Sequence, residues 1–266
     1  MANAGSTEDA PFVRRERDAR GVVNLTLDRP QSFNALSEGM LAALQSELDA
    51  AAADDTVRVV VIAAEGKAFS AGHDLKQMRA EPSQAYYEAL FAQCARMMLT
   101  IQRLPVPVIA RVQGIATAAG CQLVAACDLA VAASTARFAV SGVNLGLFCS
   151  APSVPLSRNL ARKAAFEMLV TGEFISAEEA KAKGLVNRVA APESLDAEVE
   201  ALVAAIVAKP RVAIAMGKQL FYRQLETGIE DAYQDAGHTM ACNMMDEAAL
   251  EGVQAFIDKR KPAWSG

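Results

Sequence analysis

Two short stretches of small residues have the composition of loops that expose backbone amides. Residues 68–75 read Ala-Phe-Ser-Ala-Gly-His-Asp-Leu and follow an apolar run over residues 57–64. Residues 113–122 read Gln-Gly-Ile-Ala-Thr-Ala-Ala-Gly-Cys-Gln and follow another apolar run. Amide N–H groups fixed near a helix N-terminus can stabilise a negatively charged oxygen. The two stretches therefore predict a site built from backbone amides at two strand-to-helix turns.

Three residues of the first stretch have separate expected roles. Gly72 allows a tight turn without a Cβ clash, and Asp74 is placed to cap the helix that follows. His73 suggests an acid or a base, because the ordinary pKa of histidine lies near neutrality. The alternative interpretation is structural, since small residues also occur where a helix packs closely on a strand.

The composition limits the class of protein that carries this site. A chain of 266 residues can bury a large core, as one domain or as a core with an appendage. A net charge of −5, without any block of basic residues, argues against nucleic-acid binding. The apolar runs are far shorter than the roughly 18 residues of a membrane span. We therefore expect a protein that binds a small molecule and neither nucleic acid nor membrane.

The cysteines and histidines limit the metal and redox chemistry. The cysteines are odd in number, widely spaced and mostly in apolar surroundings, which favours reduced thiols over disulfides. They are Cys94, Cys121, Cys127, Cys149 and Cys242. Because there is no C-x-x-C motif and the only histidines are His73 and His238, we expect no metal site.

The N-terminal segment bears on the cellular location. Residues 1–11 have neither the basic nor the apolar region of a signal peptide and are expected to form a disordered tail. Four arginines between residues 14 and 20 are typical of a transit peptide, but acidic residues are interleaved with them. Cytoplasm is therefore the expected compartment.

Apolar periodicity predicts alternating strands and helices up to residue 150. The predicted strands cover residues 12–18, 22–27, 57–64, 108–112, 129–133 and 138–140, the first two as a hairpin. The predicted helices are one capped by Ser37, one over residues 83–104 and one over residues 118–126. This alternation favours a layered α/β core with crossover helices.

Beyond residue 150 the predicted elements are mostly helices. They cover residues 161–171, 176–183, 195–209, 212–225, 229–243 and 246–259. Ser176 and Glu179 have the spacing of a capping box. We expect an α/β core over residues 12–200 and a helical region over residues 201–266 that wraps on the core or hinges from it.

Taken together, these motifs resemble the crotonase superfamily, the enoyl-CoA hydratases and isomerases. The resemblance covers residues 22–262 in order and at the family's spacing. Besides the two loops, it is carried by residues 127–130, 143–146, 171–172, 175–177, 184–186 and 256–261. It implies an α/β fold, the crotonase (ClpP-like) spiral of ββα units, with a C-terminal helical trimerisation region. It also implies a homotrimer or a dimer of trimers.

The resemblance further implies that the two loops bind an acyl-CoA thioester. The thioester oxygen, which becomes an enolate oxyanion, would accept hydrogen bonds from the amides of His73 and Ala119, with Gly120 adjoining. Coenzyme A enters as part of the substrate, and no permanently bound cofactor is expected. The implied contacts of the substrate and its coenzyme A are Ala35, Ala71, Gly72, Asp74, Leu75, Thr117, Ser141, Asn144, Phe256 and Lys259.

The sequence departs from the family at its two catalytic glutamates, whose positions fall on Gln122 and Gly142. Glutamine can orient a water or a carbonyl, but it cannot act as a general base near neutral pH. Glycine has no side chain, so Gly142 is expected to leave room for a bulkier acyl group. Efficient hydration is not expected from this pair.

Cys149 is the most reactive residue type near the implied acyl pocket, although a buried, inert thiol is the plainer interpretation.

Three functions are compatible with these residues. The first is decarboxylation of a malonyl-type thioester, which generates the enolate without a base; methylmalonyl-CoA decarboxylase has a similar Ala-Gly-His-Asp loop. The second is weak hydration or double-bond isomerisation through Gln122 or Cys149 and ordered water. The third is acyl-CoA binding or regulation without catalysis.

Overall fold

Two sheets joined by crossover helices form the core of this computed structural model, which describes residues 11–80 and 82–264. The predicted N-terminal tail, except for Pro11, lies outside the described residues. In chain order the strands are β1 (Val13–Arg17), β2 (Val22–Leu27), β3 (Val59–Ala64), β4 (Ala68–Ser70), β5 (Val108–Val112), β6 (Ile115–Thr117), β7 (Leu129–Ala133), β8 (Arg137–Ala139), β9 (Ile175–Ser176) and β10 (Arg188–Ala190).

The helices cover most of the remaining chain. They are α1 (Glu38–Ala52), α2 (Leu75–Ala80), α3 (Gln84–Arg103), α4 (Ala119–Ala126), α5 (Ser150–Asn159), α6 (Arg162–Thr171), α7 (Ala177–Lys183), α8 (Leu195–Val207), α9 (Arg211–Gln224), α10 (Ile229–Met244) and α11 (Glu247–Ile257). All predicted helices are confirmed to within a few residues, but α5 was not predicted. Pro152 and Pro155 lie in α5, and proline inside a helical pattern normally signals its end.

The larger sheet has the strand order β1-β2-β3-β5-β7-β10. Strands β1 and β2 form the predicted antiparallel hairpin, and the remaining pairs are parallel. Val59, Val60 and Ile62 of β3 are fully buried, as expected for a strand covered on both faces.

The smaller sheet, β4-β6-β8-β9, explains the repeated design of the chain. Each of the strand pairs β3–β4, β5–β6 and β7–β8 gives its first strand to the larger sheet and its second to the smaller one. This is the ββα repeat that the resemblance implied. Strands β4 and β6 lie within the two amide-bearing stretches and were not among the strands predicted from apolar periodicity. Three-residue strands are too short for a periodic pattern to show.

Serine caps fix the starts of several helices. Ser37 Oγ accepts from Met40 N (3.2 Å) at α1, and Ser83 Oγ accepts from Tyr86 N (3.2 Å) at α3. Ser176 and Glu179 form the predicted capping box at α7. The predicted division between residues 200 and 201 stays a prediction, and α8 continues through that position.

A buried ion pair joins α9 to the core. Lys218 Nζ donates to Asp128 Oδ2 (2.6 Å) and to the carbonyl oxygens of Ile101 (2.8 Å) and Val106 (2.9 Å). Tyr222 OH donates to Asp128 Oδ1 at 2.7 Å. The three ammonium protons of Lys218 therefore each have an acceptor, and the pair fixes α9 against the start of β5.

Candidate active site

The first loop is held beside residues 33–36, which run parallel to it. Leu36 N donates to Gly72 O (2.7 Å), and Ala71 N donates to Phe33 O (3.0 Å). The structure thereby brings Ala35 next to Ala71 and Gly72, three of the residues predicted to contact the substrate.

Asn34 anchors this arrangement and was missed by the sequence analysis. Its side chain is fully buried and donates to Ala68 O and Glu65 O, both at 2.8 Å. Its own carbonyl accepts from Ser70 Oγ at 2.9 Å. Asn34 has a φ of 51°, a conformation that asparagine tolerates better than most residues. The sequence signal that could have indicated this role is the position of the asparagine, a few residues after a proline-containing turn.

Two glycines let the first loop touch the second one. Gly72 has a φ of +86°, and a Cβ there would lie 3.0 Å from Ala119 N and 2.9 Å from Ala118 Cβ. A Cβ on Gly120 would overlap the carbonyl oxygen of Ser70. Only glycine allows this approach, so the predicted amide-bearing loops lie in direct contact.

The amides of His73 and Ala119 are available for a ligand. Ala119 is the first residue of α4, so its N–H has no partner within the helix. Across residues 11–80 and 82–264, no hydrogen-bond acceptor takes either amide. Two such donors beside a helix N-terminus are suited to a carbonyl oxygen that develops negative charge.

The side chain of His73 points at the backbone. Its Nδ1 lies 3.2 Å from Leu36 O, and its ring centroid lies 5.5 Å from that of Phe91. Burial lowers the pKa of His73 below its ordinary value of 6.5, outweighing the hydrogen bond to Leu36 O. The imidazole is therefore neutral near pH 7.

The lowered pKa of His73 predicts acid sensitivity. Its contribution to stability is complete above the ordinary pKa of 6.5 and is lost as the pH falls through the lower pKa of the folded state. Urea unfolding of the wild type and of His73→Phe should show a steeper loss of stability below pH 6.5 in the wild type. Parallel pH profiles would contradict this assignment.

Gln122 lies one turn beyond Ala119 on the same face of α4, because positions three apart are neighbours on a helix surface. Only 4% of Gln122 is exposed, and its Oε1 has no partner in the part of the chain that the structure describes. It lines a cavity of about 770 Å³ between α3, α4, α5 and α9. Gln122 can orient a donor in this cavity but cannot remove a proton.

The expectation that Gly142 leaves room for an acyl group is wrong. A Cβ on Gly142 would lie 2.5 Å from Leu147 O and 2.7 Å from Cys149 Sγ. The chain after Gly146 folds back, so the Cys149 thiol lies where a side chain at residue 142 would begin. The Gly142 amide hydrogen-bonds the Cys149 sulfur, but burial has the larger effect and raises the pKa of the thiol. Cys149 is therefore a neutral thiol near pH 7, not a ready nucleophile.

Substitution of Gly142 should consequently destabilise the protein instead of installing a base. Overpacking of a buried site typically costs about 1–3 kcal/mol. We expect Gly142→Ala to lower the free energy of unfolding by that amount, measured by urea denaturation. Gly217→Ala in α9 is the control, because nothing lies within 4 Å of its Cβ position. Equal stability of Gly142→Ala and wild type would show that residues 147–149 move aside easily.

The other predicted contact residues have mixed positions. Thr117 Oγ1 lies 2.9 Å from Ser141 Oγ, so these two are brought together. Asn144 Nδ2 donates to Gly172 O at 3.3 Å, so its amide group has a structural partner. Asp74 Oδ1 accepts from Lys76 N (2.9 Å) and Gln77 N (3.1 Å), as the predicted cap of α2.

The last three contact residues are exposed. Leu75 is 55% exposed at the start of α2, and Phe256 is 84% exposed near the end of α11. Lys259 follows α11 with a φ of 54°. Among the described residues, no hydrogen bond or ion pair joins α11 to either loop, so this chain's own α11 does not complete the site.

The part of the chain that the structure describes contains neither a membrane-spanning helix nor a metal-binding cluster. No helix in residues 11–80 and 82–264 is both long and apolar enough to cross a membrane. In those ranges, no group of three or more His, Cys, Asp or Glu side chains is placed to hold a metal ion.

The chain matches an established protein family over almost its whole length. The family model described as enoyl-CoA hydratase/isomerase matches residues 17–266, so the chain belongs to that family. Enoyl-CoA hydratase domain-containing protein 3 of Mus musculus, named mitochondrial, is 44% identical over 264 residues, covering 99% of this chain and 88% of that protein. Residues 116–122 and 146–150 also resemble this third type of domain-containing protein in sequence.

Two solved structures share the whole fold. An enoyl-CoA hydratase of Mycobacterium smegmatis is 70% identical, with a TM-score of 0.95 over 96% of this chain and 99% of its own. The human enoyl coenzyme A hydratase domain-containing protein 3 is 43% identical, with a TM-score of 0.92 over 95% of this chain and 100% of its own. The predicted crotonase fold with its C-terminal helical region is confirmed.

The expected cytoplasmic location is contradicted by these relatives. The mouse protein is named a mitochondrial protein, and so are relatives from Xenopus laevis and Homo sapiens. The acidic residues interleaved among the N-terminal arginines, from which cytoplasm was inferred, do not decide the compartment.

Proposed function

We propose that the chain is an acyl-CoA enzyme that stabilises a thioester enolate and hydrates double bonds poorly. The amides of His73 and Ala119 donate to the thioester oxygen, and Gly120 adjoins them. Coenzyme A is part of the substrate and is not retained as a cofactor. The proposal rests above all on these two amides, which have no acceptor among the described residues and which Gly72 brings to one junction.

Poor hydration follows from the residues at the two glutamate positions. Adding water needs at least one placed acid–base group, worth about 100- to 10,000-fold in rate. Gln122 is not an acid–base group, and Gly142 has no side chain. His73 directs its Nδ1 at Leu36 O. Fixed amide donors still lower the energy of an enolate, because they need no reorganisation when the charge develops.

Decarboxylation is the reaction that this set of groups suits best. In a malonyl-type thioester the bond between the α-carbon and the carboxylate breaks, and carbon dioxide leaves. The electron pair of the broken bond stays on the thioester and forms the enolate. The two amides donate hydrogen bonds to the enolate oxygen. Water or the neutral thiol of Cys149 then returns a proton to the α-carbon. No base is required, in agreement with Gln122 and Gly142.

The test measures three outcomes in one experiment. The full chain is incubated with crotonyl-CoA, methylmalonyl-CoA and a saturated acyl-CoA in deuterated water. We expect carbon dioxide release or α-deuterium uptake, with little hydration of crotonyl-CoA. Hydration as the dominant reaction would contradict the proposal. Binding without any of these reactions would identify a non-catalytic acyl-CoA-binding protein.

We also propose that the chain assembles as a homotrimer or a dimer of trimers. On α10, Ile229, Tyr233 and Met240 lie on one face and are 72%, 75% and 68% exposed. A second copy covering this apolar stripe would remove it from water. In such an assembly Phe256 and Lys259 would serve a neighbour's nucleotide site. Light scattering on the purified chain should give three or six times the chain mass, and a monomer would exclude the assembly.

A further inference from the structure

The cavity beside Gln122 has one positive charge that the described protein does not neutralise. Its charged lining residues are Arg103, Arg158, Arg223 and Glu226. Arg158 Nε lies 3.1 Å from Glu226 Oε1, and Arg223 Nε lies 2.5 Å from Asp235 Oδ2. Within the described ranges, no hydrogen bond or ion pair engages the guanidinium of Arg103. Among the described groups, the cavity therefore keeps a single unpaired cation.

The rest of the lining suits a hydrocarbon chain. Most of it is apolar and includes Met98, Leu99 and Val154. The cavity runs along α4, since Gln122 and Ala126 both line it and are four residues apart. With a rise of about 1.5 Å per residue, Ala126 lies about 10 Å along the helix from Ala119. A thioester held at Ala119 is therefore within about 10 Å, along this helix, of the part of the cavity that Gln122 and Ala126 line.

We propose that this cavity takes an acyl chain that ends in a carboxylate, with Arg103 as its partner. The proposal rests on the proposed acyl-CoA function and names a feature of its substrate, a carboxylate at the far end of the acyl group. Arginine presents a planar fork of donors that matches a carboxylate with two hydrogen bonds. A malonyl-type substrate would carry this far carboxylate in addition to the one that it loses from its α-carbon, and a half-thioester of a dicarboxylic acid carries the far one alone.

The proposal is tested with two matched series of saturated thioesters. One series carries monocarboxylic acyl groups and the other dicarboxylic ones, from about four to about ten carbons, a range that a drug-sized pocket accommodates. Calorimetry on the full chain measures each affinity. At the length that reaches Arg103, the dicarboxylic member should bind about two- to fivefold more tightly, as expected of an exposed ion pair, since Arg103 is exposed. The preference should shrink with added salt.

Matched variants assign the preference to one residue. Arg103→Gln should abolish the preference and leave the affinity for the monocarboxylic series unchanged. Arg162→Gln makes the same change of charge at the start of α6, where the side chain lines a separate groove, and should keep the preference.

The outcomes separate this inference from the function on which it rests. Equal binding of both series, or a preference that survives Arg103→Gln, would overturn the inference and leave the proposed function standing. Failure of both series to bind would overturn both.

Discussion

Replacing Lys218 with methionine is expected to destabilise the fold by about 3–5 kcal/mol, the cost of leaving a buried charge without its partner. The Asp128 carboxylate would keep only Tyr222 OH and Val108 N as donors. Burial already raises the pKa of Asp128 against the effect of Lys218. Without Lys218, protonation of Asp128 on acidification should make the loss smaller at low pH than at pH 7.

Urea denaturation at fixed protein concentration measures this effect. Lys163→Met is the control, because Lys163 is exposed on α6 and should change stability by less than about 0.5 kcal/mol. The double variant Lys218→Met/Asp128→Asn should recover part of the loss, since no charge stays buried. A cost below about 1 kcal/mol for Lys218→Met would mean that water reaches Asp128.

Gly72→Ala is expected to slow the proposed enolate-forming reaction by about 100-fold, because small displacements of the reacting groups have effects of this size. The new Cβ would meet Ala118 Cβ at 2.9 Å and Ala119 N at 3.0 Å, which forces the two loops apart. The positive φ adds about 1–2 kcal/mol of strain. The rate is measured as carbon dioxide release or deuterium uptake, whichever the wild type shows.

Gly184→Ala is the control that separates the effect of backbone strain from the effect of forcing the two loops apart. Gly184 caps the end of α7 with a φ of +89°, and its nearest contact would be Asn159 O at 3.1 Å. This variant should lose stability similarly but keep its rate. If Gly72→Ala stays within about threefold of the wild-type rate, the contact between the loops is not needed for the reaction.

The sequence predicts the fold well where a local signal exists. The apolar run of β3, the serine caps of α1 and α3 and the capping box at Ser176 each determine local structure through neighbouring residues. The three-residue strands β4 and β6 have no such signal, because only pairing with distant strands defines them. Helix α5 was hidden by its prolines.

The site was predictable as two loops but not as a packed arrangement. Resemblance placed Gln122 and Gly142 at the two glutamate positions, and that departure is visible in the sequence. The fold-back that puts Cys149 against Gly142 joins residues seven apart through an irregular segment without periodicity. The role of Asn34 and the pairing of Lys218 with Asp128 likewise depend on contacts between distant parts of the chain.

The segment at residues 147–149, which folds back over Gly142, also limits which mutations could give this chain a second catalytic carboxylate. A glutamate introduced there alone would collide with the Leu147 carbonyl before its carboxyl group could reach any substrate. The segment at residues 147–149 would have to be rebuilt first, and that change by itself adds no catalytic group. A carboxylate at residue 142 therefore needs at least two mutations, and the second is useful only after the first. Gln122→Glu needs no change in the backbone.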